Sequence, residues 1–171
     1  MNRSAVWIFA AALACGTLQA QTNPVVTEMK GAYTAVKTNL LKAADKIPDD
    51  AYAWKPVDSV RTVGALIDHI AGQFRTCNAV SGKQTTVDVS KTSKADVVAA
   101  LKASFDACDA AWDAMSDTAA TEMIAGRGGQ RSKLGTLIFM TVVHNNEEYG
   151  YLSMYMREKG IVPPSSDRGP M

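Results

Sequence analysis

Hydrophobic positions recur along this chain at spacings of three and four residues, in four long runs separated by glycine, proline and polar residues. That period belongs to the α-helix. The first run predicts a helix over about residues 24–47, with Met29, Tyr33, Val36, Leu40 and Ile47 on one stripe and Pro48 as its stop. A connector with aromatic anchors, Tyr52 and Trp54, ends at Pro56. The second run predicts a helix over about 60–80, its seam formed by Thr62, Leu66, His69, Gln73, Thr76 and Val80. Residues 81–93 read as a polar linker, whose short alternation at Thr85–Val89 is the main strand-like signal.

The third helix starts near Ser93, an N-cap residue type with Asp96 three positions on. Val98, Leu101, Phe105, Cys108, Trp112 and Met115 form its seam. Residues 126–130, rich in glycine, read as a loop. The fourth helix spans about 132–159 and ends at Gly160, with Leu137, Thr141, His144, Glu148, Tyr151 and Tyr155 on its seam. Gly150 lies inside it at a cost of about 1 kcal/mol relative to alanine, which close helix contact would explain. Four amphipathic helices of this length make an all-α four-helix bundle the expected architecture, in one domain and without internal repeats.

Composition narrows the function classes. The 171 residues are 47% hydrophobic and 20% charged, which is globular. Eighteen basic against 17 acidic residues leave a formal charge of +1, without the basic excess that phosphate recognition uses, so no nucleic-acid partner is expected. No apolar run reaches the ~20 residues of a spanning helix.

The N-terminus has the layout of a secretory signal. Arg3 supplies the charge, residues 5–14 are apolar, and small residues precede a cut after Ala20. The expected division is a signal peptide over 1–20 and a mature domain over 21–171, periplasmic or secreted. Leu18 is bulkier than usual at its position. A lipoprotein reading through Cys15 is weaker, because Ala12-Leu13-Ala14 is a poor lipobox. The mature chain keeps two cysteines, Cys77 and Cys108. An even pair in an oxidising compartment is a disulfide candidate, and the alternative is two buried free thiols.

Both histidines of the chain, His69 and His144, fall on inward seams. His144 and Glu148, four residues apart, share a face with Cβ atoms about 5–6 Å apart. A carboxylate on an apolar seam is costly unless it is paired or bound to a cation. If the second and fourth helices are neighbours, His69, His144 and Glu148 can converge. Two imidazoles and a carboxylate suit zinc, nickel, iron or manganese. The alternative is a metal-free His–Glu hydrogen-bond network. Asp68 and Gln73 near His69, and Asn145 beside His144, are candidates for orienting such ligands. Tyr149, Tyr151, Tyr155, Trp54 and Trp112 are candidates for lining a pocket, or simply core. No nucleophile–base pair, phosphate loop or CxxC motif is found in the sequence.

Leu66-Ile67-Asp68-His69-Ile70-Ala71 resembles the LxxHIA segment of DinB/YfiT-like proteins. The stretch from His144 to Leu152, followed by Tyr155-Met156-Arg157-Glu158-Lys159-Gly160-Ile161-Val162-Pro163-Pro164, resembles their last helix and its exit. Trp54-Lys55-Pro56 fits the same pattern. The resemblance implies a four-helix bundle of up-down-down-up order that holds a divalent metal on three histidines. One histidine comes from the second helix and two from an H-x3-H pair on the fourth. His69 and His144 match, whereas Glu148 stands where the family has histidine. The resemblance also implies a possible homodimer, and a metal-dependent enzyme of the thiol-dependent transferase or isomerase type acting on a small molecule; a hydrolase is the other chemistry that three protein ligands and an open position allow. The alternative is a non-catalytic exported module that binds metal or ligand.

The family order ties the cysteines to the topology. If the second and third helices run parallel, Cys77 and Cys108 sit at similar heights. An antiparallel hairpin would separate them by about 15 Å at 1.5 Å per residue. A bridge needs Cα atoms within about 7 Å. The linker, about 40 Å long when extended, can make the parallel crossover.

Overall fold

The computed structural model describes residues 24–126 and 128–168. The expected signal peptide lies outside the described residues. Helix α1 is Pro24–Lys46, and a short 3-10 turn, Asp49–Ala51, follows Pro48. Tyr52 then anchors the connector, its hydroxyl donating to Ala44 O at 2.7 Å. The next helix begins later than its periodicity suggests. Thr62 is the N-cap, accepting from Ala65 N, and α2 is Val63–Ala71. A tight turn at Gly72 and Gln73 separates it from α3, Phe74–Ser81. The single helix expected over 60–80 is therefore two short consecutive pieces, with αR backbone at Gly72 and Gln73 where they join. Gly82, at φ 73°, closes α3 in the left-handed conformation that glycine adopts without strain.

Residues 83–92 form no strand, the Thr85–Val89 alternation included. Asn78 instead ties the linker down: its side chain donates to Thr85 O at 2.7 Å and accepts from Thr85 N at 3.2 Å. Ser93 caps α4, Lys94–Asp113, by accepting from Asp96 N. A short α5, Asp117–Thr121, leads into a two-stranded hairpin, β1 Met123–Gly126 and β2 Gly129–Ser132. The stretch expected as a plain loop is thus the tip of an antiparallel ribbon. Gly128 and Gly129, at φ 88° and 121°, supply the turn conformation there.

The fourth helix is continuous in direction but not in type. It opens with α6, Lys133–Leu137, widens into a π-helical segment, Ile138–His144, and closes with α7, Asn145–Glu158. The wider turns shift the buried stripe. It runs Leu137, Thr141, Asn145, Glu148, Tyr149, Leu152, Tyr155 and Met156. Tyr151, expected on the seam, is 52% exposed, and Leu152 takes the inward place.

Side-chain pairs fix the helix directions. Lys30 meets Asp113, the Tyr33 hydroxyl donates to Asp109, and Lys102 meets Asp45, so α1 and α4 are antiparallel. Gln73 meets Asn145 and Trp54 meets Tyr155, so α2 runs against α7. Cys77 and Cys108 are joined by a disulfide with a Cα–Cα distance of 4.9 Å, each near the same height of its helix, so α2–α3 runs parallel to α4. The order is up-down-down-up. Helices α2 and α3 both pack on α4, and α1 packs on α4 and α7. The core between them holds Tyr33, Leu40, Ile67, Ile70, Leu101, Phe105, Trp112, Leu137 and Leu152. Tyr33 stacks on Trp112 at 5.6 Å, and the Trp112 indole donates to Thr141 Oγ1 at 3.1 Å.

Gly150 does not explain its place by close packing. A Cβ there would meet nothing within 4 Å. Gly150→Ala should therefore stabilise the chain by up to about 1 kcal/mol, read from denaturant midpoints. The disulfide closes a loop of 31 residues. Loop-closure entropy gives such a link about 3–4 kcal/mol. Reducing it, or the Cys77→Ala/Cys108→Ala pair, should lower the denaturation midpoint accordingly, and two free thiols in oxidised protein would contradict the link.

Candidate metal centre

His69 is in the second half of α2, and His144 is the last residue of the π-helical segment. Glu148 follows one turn later on α7. Because α2 runs against α7, the three side chains meet between those helices. Glu148 Oε1 lies 3.4 Å from His69 Nε2 and 3.6 Å from His144 Nε2. The two imidazoles are tilted by 48° with centroids 5.2 Å apart. One ligand atom from each residue falls within 4.8 Å of the others.

The wide turns decide what His144 sees. The fully buried position passes from Thr141 to Asn145, which leaves His144 at the edge of the stripe. Its side chain is 23% exposed and that of His69 is 36% exposed, whereas Glu148 is 9% exposed. The carboxylate thus forms the floor of the site and the imidazoles its rim. Burial lowers the proton affinity of His69, and the positive charge of Arg61 lowers it further, outweighing the pull of Glu148. The imidazole is therefore held toward its neutral, ligating form.

Glu148 has no Lys or Arg within ion-pairing distance among the described residues. Its second oxygen, Oε2, is buried and has no hydrogen-bond donor among the described residues. A carboxylate in that position is unstable unless a cation or a charged imidazole answers it. The separations to the two Nε2 atoms exceed those of close charge-assisted hydrogen bonds, typically about 2.7–2.9 Å. They match the edge of a tetrahedron whose centre is about 2.1 Å from each donor, the usual bond length to zinc. The donor set fits a divalent cation, as does the spacing of Glu148 from each imidazole.

Two of the three flanking polar residues reach the neighbourhood. Asn145 Nδ2 donates to Gln73 Oε1 at 2.6 Å in a fully buried contact that links the join after α2 to the residue after His144. Asp68 turns elsewhere. It lines a groove with Tyr52, Thr62 and Val89–Thr92 on the other side of α2, and burial raises its pKa. His144 Nδ1 is buried without a partner among the described residues.

A groove of about 540 Å³ opens beside the carboxylate, lined by Ser59, Val60, Arg61, Leu66, Glu148, Tyr151 and Tyr155. Of the five aromatic residues singled out in the sequence, two are in this lining. Trp54 backs the groove, edge-on to Tyr155 at 5.9 Å. Trp112 is core, and Tyr149 bonds Ser165 in the C-terminal segment. Arg61 carried no signal in the periodic pattern: the helix expected over 60–80 takes it in, off the seam, whereas the structure places it just before the helix cap.

The model of the DinB superfamily matches residues 32–152, and the chain belongs to that superfamily. No curated protein matches it. Its fold is similar to the crystal structure of a DinB-like protein from Bacillus cereus, with a TM-score of 0.69 at 16% identity, covering 81% of this chain and 95% of that one. Among the described residues no helix is long and apolar enough to cross a membrane.

Asn145→Ala would leave Gln73 Oε1 buried without a donor. It should cost about 1–3 kcal/mol of stability, measured by chemical denaturation, with Gln73→Ala/Asn145→Ala costing less than the sum of the singles.

Proposed function

We infer that the chain is an exported metalloprotein that holds one divalent cation on His69, His144 and Glu148 and acts as a hydrolase on a small molecule. The observation that carries this reading is Glu148 itself, a buried carboxylate flanked by two imidazoles, with no Lys or Arg partner and one oxygen without a donor among the described residues. A bound cation would supply Lewis acidity and lower the pKa of a water in its remaining position.

The chain's own residues supply the setting. Leu66 and Val60 give the groove an apolar wall, and Tyr151 and Tyr155 give it an opposite, aromatic one. Glu148 joins this groove to the site, and both imidazoles are partly exposed. Glu148 in place of a third histidine makes the donor set harder, which favours zinc, iron or manganese over softer ions. Export is supported by the charged–apolar–small order of residues 1–20 and by the Cys77–Cys108 link, which suits an oxidising compartment. Export also disfavours the thiol-dependent transferase alternative, since cytoplasmic thiols would be scarce there.

A second reading, a non-catalytic metal- or ligand-binding module, draws on the lone His144 Nδ1. Ligating histidines usually donate their other nitrogen to an acceptor, which orients the ring and raises its basicity. The readings separate on turnover. An enzyme loses activity in His144→Ala, whereas a binding module loses mainly thermal stability.

Metal content of tag-free protein purified from the periplasm, without chelator, tests the site. About one equivalent is expected in wild type, little in Glu148→Ala and none in His69→Ala/His144→Ala. A wild type that stays empty after incubation with zinc, manganese, nickel or anaerobic iron would sink the metal reading. The mass of the exported chain should correspond to a start at Gln21.

A further inference from the structure

We propose that Arg61 is the anion-binding residue of the groove beside Glu148, and that the site takes a small organic oxyanion with an apolar body. The proposal rests on the metal reading only for where the reacting end of that molecule would lie.

Arg61 is held in place by its backbone. It precedes the Thr62 cap, and Val63 N and Gly64 N donate to Trp54 O and Tyr52 O, both at 2.9 Å, so the connector cannot drift from the start of α2. Its guanidinium has no such tie. Arg75 lies over the Phe74 ring, Arg131 over Phe139, and Arg157 donates to Ser153 O and Ser166 Oγ. The Arg61 side chain has no ion pair, hydrogen bond or ring contact among the described residues. It is exposed and faces the groove.

The placement of that charge is the informative part. Arg61 shares the lining of one groove with Glu148 and Tyr155. A fixed positive charge there also opposes any cation bound by His69, His144 and Glu148. Such an arrangement weakens the site when it is empty of ligand and strengthens it when an anion lies between the two charges. A guanidinium fork suits a carboxylate or a phosphate. The walls say what lies behind the charged group: Val60 and Leu66 on one side, the rings of Tyr151 and Tyr155 on the other. At about 540 Å³ the groove is within the usual size of small-molecule sites.

The probes are phenylacetate, phenyl phosphate and neutral phenylacetamide, titrated into full mature protein with and without zinc. Affinities are read from NMR shifts of the amides around Tyr151 and Tyr155. In the zinc-free chain at least one anion should bind about tenfold more tightly than the amide. Arg61→Gln should abolish that preference and Arg61→Lys retain part of it. Whichever anion loses more on Arg61→Gln identifies the headgroup, carboxylate or phosphate. With no anion present, Arg61→Gln should bind zinc several-fold more tightly than wild type. An anion preference that survives Arg61→Gln, or no probe perturbing the groove in either metal state, overturns the proposal. An Arg61-dependent preference in a chain that refuses zinc supports the anion site and removes only the metal reading.

Discussion

Two adjacent helices that run the same way cannot be joined by a tight turn, and this bundle is organised around such a pair. Helices α2–α3 and α4 are parallel, so residues 82–93 must return the chain along the full length of the molecule. Asn78 holds the start of that return, Ser93 caps its end, and the Cys77–Cys108 bond fixes the two helices at matching heights. Once both central helices descend, the first and last must ascend. The last then runs antiparallel to α2, and this brings His144 and Glu148 level with His69. Another order of the same helices would leave the histidines apart.

The site is less favourable to the fold than its surroundings. Close by, the Trp112 indole is answered by Thr141 and the Asn145 amide nitrogen by Gln73, although Asn145 Oδ1 and Gln73 Nε2 have no partner among the described residues; these groups are neutral, whereas Glu148 carries a charge. Glu148 has only two imidazoles, at distances that suit neither a strong hydrogen bond nor a close ion pair. Stability alone would favour an apolar residue there, since replacing buried ionic groups by packed hydrophobic ones is often neutral or stabilising. The unmet charge at Glu148 and the unpaired charge at Arg61 lie on the same groove. Both are the kind of local conflict that marks a binding site rather than a scaffold.

Much of this was legible in the periodicity. The third-helix seam, Val98 to Met115, is buried throughout, and Ser93 with Asp96 forms the cap that its spacing announces. These positions follow a regular α-helix, for which three-and-four spacing is a faithful guide. The misreadings fall where the helix is not regular. Thr62 takes the cap and so delays the second helix, and the tight turn at Gly72 divides it. Tyr151 is a different case: between Glu148 and Tyr155, both buried, a regular helix offers either Tyr151 or Leu152 to the core, and spacing alone does not choose between i+3 and i+4. The hairpin has short, mostly exposed strands, so it carries no alternation of apolar residues to read. Arg61 was missed because the expected second helix took it in, off the seam, whereas it precedes the Thr62 cap.

The π-helical segment before His144 also constrains how this chain can vary in length. A wide turn is what a helix forms when it absorbs one surplus residue without moving either end. Removing a residue between Ile138 and Val143 would restore regular winding with both ends in place, whereas rewinding the segment as α-helix with every residue kept would turn one half of the helix against the other by about 100°, the rotation of one residue. Either Thr141 would leave Trp112 or the His144–Glu148 pair would swing away from His69. The surplus residue acts as a phase adjuster. It lets one helix satisfy a packing rule at its first half and a ligand geometry at its second, two demands that a uniform helix of this sequence could not meet together.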